Sequence, residues 1–185
     1  RSGFKYGPSS LEDSLDRDAL ICAFEDDVMG AVTERHQAPF NLTREEQDAF
    51  AASSHSKASA AIAAGRFAEE ITPVAISVRK INVVVDTDEG VRSGTTTETL
   101  GQLRPAFSPD GTITAGTSSQ MSDGAAALIV MSKKEAERRG LEWLAEIVSY
   151  GTVAGPDASL LLQPAGAINN ALSRSGSLTV KDLDL

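Results

Sequence analysis

Residues 104–131, RPAFSPDGTITAGTSSQMSDGAAALIVM, join a turn, a loop of small hydroxyl residues and an apolar run without a break, and no other stretch constrains the fold as much. Pro105 and Pro109 stiffen the entry by fixing φ, and Asp110-Gly111 marks a turn. Residues 112–115, TITA, alternate like a strand before Gly116 frees the backbone for a loop. Thr117, Ser118 and Ser119 then offer hydroxyls with little bulk, so the chain can approach a ligand or a neighbouring backbone closely. Residues 127–131 are apolar at every position, the pattern of a strand buried on both faces.

The flanking segments alternate helix and strand signals. Residues 1–40 are loop-rich, with short helical turns expected within 11–24. Thr43 and Glu46 form a capping box that opens a helix, and Gly65 closes it in a left-handed conformation. Phe50, Ala51, Ser54, Ala58, Ala61 and Ile62 form its expected inward stripe. Two strand-like runs, TPVAISV and INVVV, follow on either side of Arg79-Lys80. Thr95 with Glu98 predicts a second capping box, ahead of Leu100 and Leu103. Ser132 and Glu135 cap KKEAERR, which Gly140 stops; residues 144–150 read as a strand and 165–175 as a helix ending near Gly176. The alternation predicts an α/β layer arrangement.

Composition narrows the function classes. With 41% hydrophobic and only 5% aromatic residues, the core draws on Ala, Val, Ile and Leu. The net charge of -9 opposes nucleic-acid binding, which needs Lys and Arg against phosphates, yet a few local cations still hold an anionic ligand. No run reaches the roughly eighteen apolar residues of a membrane span, so the expected location is the cytoplasm. A single cysteine and two histidines make a disulfide framework and a dedicated zinc site poor readings. Cys22 lies beside Glu25, Asp26 and Asp27, carboxylates that oppose thiolate formation, and is read as structural. His36 and His55 lack the pattern of a catalytic partner and are read as surface or helix-packing residues. The Gly116-Thr117-Ser118-Ser119-Gln120 stretch lacks the final glycine of a nucleophile elbow. Asp86, Asp88 and Glu89 read as a solvated turn, and no metal is expected.

The run LRPAF…GTITAGTSS…SDGAAA resembles the block LRPAF…GTVTAGNAS…NDGAAA of the thiolase family nearly position by position over residues 103–127. Further segments fall in that family's order: Met29-Gly30, LTREEQDAFAASSHSKA, GRFAEEITPV and DEGVR. Within the family, RSGFKYG, SSQMSDGAAA and LLLQPAGAINNAL look closest to acetyl-CoA acetyltransferases of the actinobacterial β-oxidation type. The resemblance implies an α/β fold with a loop domain over residues 1–119 and the first half of a C-terminal βαβ core domain over 120–185. Residues 183–185 would lead into the next core strand and an Asn-Glu-Ala-Phe motif, so a fragment lacking both ends is expected.

Thiolases transfer acyl groups through a cysteine nucleophile, a Gly-His-Pro histidine and a second cysteine in Cys-x-Gly-Gly-Gly, and none of these motifs stands in the 185 residues. No catalytic residue is therefore assigned. The resemblance instead implies a surface for CoA and acyl-CoA as substrates, with no cofactor. Arg92 matches the arginine against the adenine ring, Phe107 an aromatic on the pantetheine path, Ala115 and Ser119 small positions facing the pantetheine amides, and Leu20 and Met29 apolar contacts. By residue type alone Arg92 is a solvated charge, Phe107 and Met29 ordinary core, and Ser119 a turn hydroxyl; the resemblance reverses this for Arg92, Phe107 and Ser119. Val28 stands where many members have histidine, Thr117 and Ser122 replace asparagines, Leu160-Leu161 replace Met-Gly, and Pro39 ends a helix that continues elsewhere in the family. The implied activity is acetyl-CoA C-acetyltransferase in a homodimer or homotetramer, alone or in a complex with other β-oxidation enzymes. The rival reading is a non-catalytic CoA-binding or assembly module.

Overall fold

The computed structural model describes residues 3, 6–78 and 81–184. Arg79-Lys80, Leu185 and four of the seven residues of RSGFKYG lie outside the described residues. A wide helical turn, Asp16–Leu20, leads into strands β1 (Ile21–Cys22) and β2 (Asp27–Val28) and helix α1 (Met29–Gln37). Next come a 3-10 turn at Ala38–Phe40, α2 (Arg44–Ala63), β3 (Val74–Val78), β4 (Ile81–Val85), α3 (Thr97–Gly101), α4 (Lys133–Arg139), α5 (Gln163–Ser175) and a last 3-10 turn, Val180–Asp182. The chain divides into two units, Gln37–Asp123 and Arg1–His36 with Gly124–Leu185.

In the unit Gln37–Asp123, α2 is the organising element. The Thr43 hydroxyl accepts from the Glu46 N–H at 3.2 Å and the Thr43 N–H donates to the Glu46 carboxylate at 2.9 Å, so the predicted capping box forms. The helix closes as the sequence requires: Gly65 takes φ +68°, and Arg66 donates back to the Ala61 carbonyl. Arg44 ties α2 to α3, with one guanidinium nitrogen on the carbonyls of Leu100 (2.6 Å) and Leu103 (3.0 Å) and another on buried Asp48 (2.8 Å). Leu100 is buried beneath this clamp. Thr112 joins the same layer by accepting from Gln37 (2.7 Å) and Gln47 (2.8 Å). Strands β3 and β4 pair antiparallel from Val74↔Val85 to Val78↔Ile81, confirming the two predicted runs, and every β4 side chain is exposed.

In the other unit, β1 and β2 pair through Ile21↔Val28 and Cys22↔Asp27 around a tight turn in which Asp26 takes φ +51°. Arg35 on α1 closes this hairpin by bridging Glu25 (2.6 Å) and Asp27 (2.7 Å). Helix α4 starts at Ser132, whose hydroxyl accepts from the Glu135 N–H, and stops at Gly140 with φ +64°. Helix α5 begins two residues ahead of its predicted start, with Pro164 in the first turn, and ends at Gly176. Residues 149–151 lie against it: the Ser149 hydroxyl donates to the Ala171 carbonyl at 2.8 Å, and a Cβ at Gly151 would strike the Ala167 carbonyl oxygen.

Four expectations are corrected. Residues 127–131 and 144–150 form no strand among the described residues, because neither finds a backbone partner; Leu128, Ile129, Leu144 and Ile147 are exposed instead. The second capping box uses Thr96 and Thr99, one residue on from Thr95 and Glu98, since the threonine hydroxyl returns the cap bond that a glutamate was expected to make. The TITA run is a single bridge, Pro105↔Thr114, with the Ala106 N–H donating to the Ile113 carbonyl at 2.9 Å and the Thr114 carbonyl turned to the loop that follows. Phe50 and Ser54 in the expected inward stripe of α2 are exposed, while Arg44, Gln47, Asp48 and His55 lie on the sheltered face. Within the loop-rich first forty residues, α1 is a helix, and it ends at Gln37 just ahead of Pro39. Among the described residues no helix is long and apolar enough to cross a membrane.

Candidate functional site

Thr114, with no exposed surface, fixes the loop that follows it. Its carbonyl accepts from the Thr117 N–H (3.1 Å) and from the hydroxyls of Ser118 (2.8 Å) and Thr117 (3.3 Å). Its N–H donates to the Thr117 hydroxyl at 2.9 Å, and its own hydroxyl accepts from the Gly116 N–H at 3.2 Å. Gly116 is required by a close approach, because a Cβ there would overlap the side chains of Leu100 and Leu103. Of the two expected uses of these hydroxyls, Thr117 and Ser118 take the neighbouring backbone, donating to the Thr114 carbonyl. Ser119 alone of the three is exposed.

The loop faces α2 across a concavity of about 230 Å³ lined by Phe50, Ala51, Ser54, His55 and residues 116–119. Phe50 supplies an apolar wall from the helix side, and the loop backbone and hydroxyls supply the polar one. At its edge the Arg92 N–H donates to His55 Nδ1 at 3.2 Å, and the Arg92 carbonyl accepts from the Thr95 N–H at 3.1 Å. The Arg92 side chain stays exposed, a cation free to meet an anionic or aromatic ligand. Gln120 continues from Ser119 onto Gly90, where an added Cβ would overlap its side-chain amide. The turn bearing Arg92 and the loop bearing Ser119 are thus in contact.

Of the six predicted site residues, Ser119 lines the concavity, Arg92 lies at its edge through the backbone bond to His55, and Ala115 is exposed beside Gly116. Phe107 is half-buried and does not line the concavity. Leu20 and Met29 belong to the other unit, Leu20 ending the wide helical turn and Met29 opening α1. His55 was missed as a site residue. Its signal was its spacing with Ala51, Ala58 and Ile62, which puts it on the sheltered face of α2.

The remaining flagged groups are engaged elsewhere. His36 Nε2 lies 2.7 Å from Glu25 Oε1. Hydrogen bonds from His36 and then Arg35 hold the Glu25 carboxyl below its ordinary range, and Arg35 does the same for Asp27. Cys22, half-buried in β1, therefore sits beside carboxylates already paired with cations. A smaller depression of about 160 Å³ between the end of α2 and residues 86–88 has an apolar floor of Ile62, Phe67 and Ile71 under two aspartates. Among the described residues no group of three or more His, Cys, Asp or Glu is placed to hold a metal.

Residues 1–134 match the model of the thiolase N-terminal domain. Over 186 residues the chain is 53% identical to a probable acetyl-CoA acetyltransferase of Mycolicibacterium smegmatis, covering 100% of this chain and 48% of that protein. A probable acetyl-CoA acetyltransferase of Mycobacterium tuberculosis is 50% identical, with 100% and 47% covered. The crystal structure of the Bacillus anthracis acetyl-CoA acetyltransferase superposes with a TM-score of 0.90 at 35% identity, over 100% of this chain and 46% of that one. The chain spans about half the length of the curated relatives it matches.

Proposed function

Since the chain belongs to the thiolase family, we propose that it is part of an acetyl-CoA C-acetyltransferase and supplies that enzyme's CoA-binding loop region. The enzyme would cleave 3-ketoacyl-CoA with CoA, or run the reverse condensation of two acetyl-CoA molecules. In such a reaction a cysteine thiolate takes the acyl group from the substrate, and the CoA thiol removes it in a second step. The nucleophile and its base would come from segments of the longer protein outside these residues. The observation that carries the reading is a concavity lined by Ser119 and His55, with His55 accepting from the Arg92 N–H, in a chain 53% identical to a probable acetyl-CoA acetyltransferase.

In this reading Arg92 lies against the adenine ring, a role suited to a planar cation. Ser119 offers a free hydroxyl, and Ala115 an unobstructed surface, to the pantetheine amides. By the same resemblance Phe107 is assigned to the pantetheine path, and Met29 and Leu20 are each assigned an apolar contact with the substrate. The loop domain would span 1–119 and the first half of the core domain 120–185; one change of unit, at Asp123–Gly124, lies near that boundary, while residues 1–36 group with 124–185. The exposed apolar residues of 127–131 and 144–150 would then pair with strands that the longer protein supplies. A cytoplasmic homodimer or homotetramer acting in fatty-acid β-oxidation is the setting we assign.

Arg92→Ala in the full-length protein tests the assignment. The expected result is CoA binding weakened by about fivefold, the scale of a partly solvated cation–π contact, with acylation of the nucleophile unchanged. Unaltered CoA affinity would remove Arg92 from the site. A full-length protein that binds CoA without thiolysis would favour the rival reading, a non-catalytic binding module.

A further inference from the structure

His55 is left without a role by the contacts assigned to CoA, yet it is the side chain that holds the Arg92 backbone. Arg92 has two described backbone hydrogen bonds. One, from Thr95, closes its own turn; the other, to His55 Nδ1 at 3.2 Å, comes from 37 residues away. The imidazole projects from the middle of a 20-residue helix that is capped at Thr43 and clamped through Arg44. A turn fastened to such an element inherits its rigidity. The same ring lines the concavity with Ser119, so it stands between the two halves of the proposed ligand path. A nitrogen that accepts a hydrogen bond carries no proton, which leaves Nε2 as the N–H of the neutral ring.

We infer that His55 is the positioning residue for Arg92: its Nδ1 fixes the Arg92 backbone so that the guanidinium is presented to the adenosine end of the ligand. The inference rests on the adenine reading of Arg92 given above. It gives His55 a selective effect. A ligand that reaches from Ser119 to Arg92 depends on it, and one that stops at the pantetheine does not.

Three variants of the full-length protein, titrated calorimetrically with CoA and with 4′-phosphopantetheine, decide it. His55→Phe keeps a ring of similar size but cannot accept a hydrogen bond. It is expected to weaken CoA binding by about fivefold, the scale of one net hydrogen bond, while binding 4′-phosphopantetheine as the parent does. His55→Asn, whose Oδ1 can stand where Nδ1 stands, is expected to retain CoA affinity. A His55→Phe protein that binds CoA normally, or loses both ligands equally, overturns the inference, as does a His55→Asn protein that loses CoA as fully as His55→Phe. Arg92→Ala separates the two layers of the argument. If it discriminates between the ligands and His55→Phe does not, only the positioning role falls; if Arg92→Ala binds both ligands normally, the adenine role falls and the His55 role with it.

Discussion

Residues 114–119 turn all but one of their hydroxyls back onto the chain around a fully buried Thr114, whereas Leu128, Ile129 and Val130, a few residues later in the same run, are 85%, 89% and 74% exposed. The first stretch satisfies itself with bonds between residues two to four apart. The second is apolar throughout and has no local partner to make, so its sequence specifies a destination rather than a conformation. Polar loops of small residues can therefore close on themselves, while an all-apolar run needs neighbours from elsewhere.

The largest effect that would break this contrast is at Ile129. In the full-length protein Ile129→Asp is expected to cost about 3–5 kcal/mol, because an unpaired carboxylate would enter a sheet interior. In the 185-residue chain the same change is expected to stay within about 0.5 kcal/mol, as for other exposed positions. Urea unfolding of both proteins provides the comparison, and equal effects would mean that residues 127–131 gain no partner. Gly116→Val ranks next. Its side chain would enter the space of Leu100 and Leu103, with an expected cost of about 1–3 kcal/mol in either length of protein. A neutral result would show that the loop can move off α3.

Acid gives the smallest effect and divides two kinds of local closure. Glu25 and Asp27 are held below their ordinary values of 4.5 and 3.8 by His36 and Arg35. A carboxyl whose folded value is lowered stabilises fully above its unfolded value and loses that contribution as the pH falls through the folded one. Hydrogen exchange in the β1–β2 hairpin should therefore rise, once corrected for intrinsic rates, as the pH drops well below 3.8. The hydroxyl-closed loop at Thr117 should keep its protection. Loss of protection at both places together would point to global unfolding and leave the ion pairs without a local role.

What the sequence made legible follows the same division. The Thr43–Glu46 box, the Ser132 cap, the left-handed Gly65 and the helix ends at Gly140 and Gly176 depend on residues within a turn of one another, and all appear as read. The two runs of the β3–β4 hairpin were readable because each is the other's neighbour. The cap of α3 slipped by one residue because four successive positions, Thr95 to Glu98, offer competing cap groups. Asp48 and His55 were not legible: a buried aspartate and a sheltered histidine depend on Arg44 and on Arg92, and helical periodicity places the face without naming its partners. Arg92 was singled out through the resemblance, since its charge alone says nothing about the turn it occupies.

Arg44 also makes one helix depend on another. A five-residue helix such as α3 does not persist in water by itself, and here its carbonyls are closed by a guanidinium rooted 56 residues earlier in the chain. Helix α3 therefore draws part of its stability from the first turn of α2. The wall that Leu100 and Leu103 build behind Gly116 consequently rests on that turn, so loss of the Thr43 cap would be felt at the loop as well as in α2.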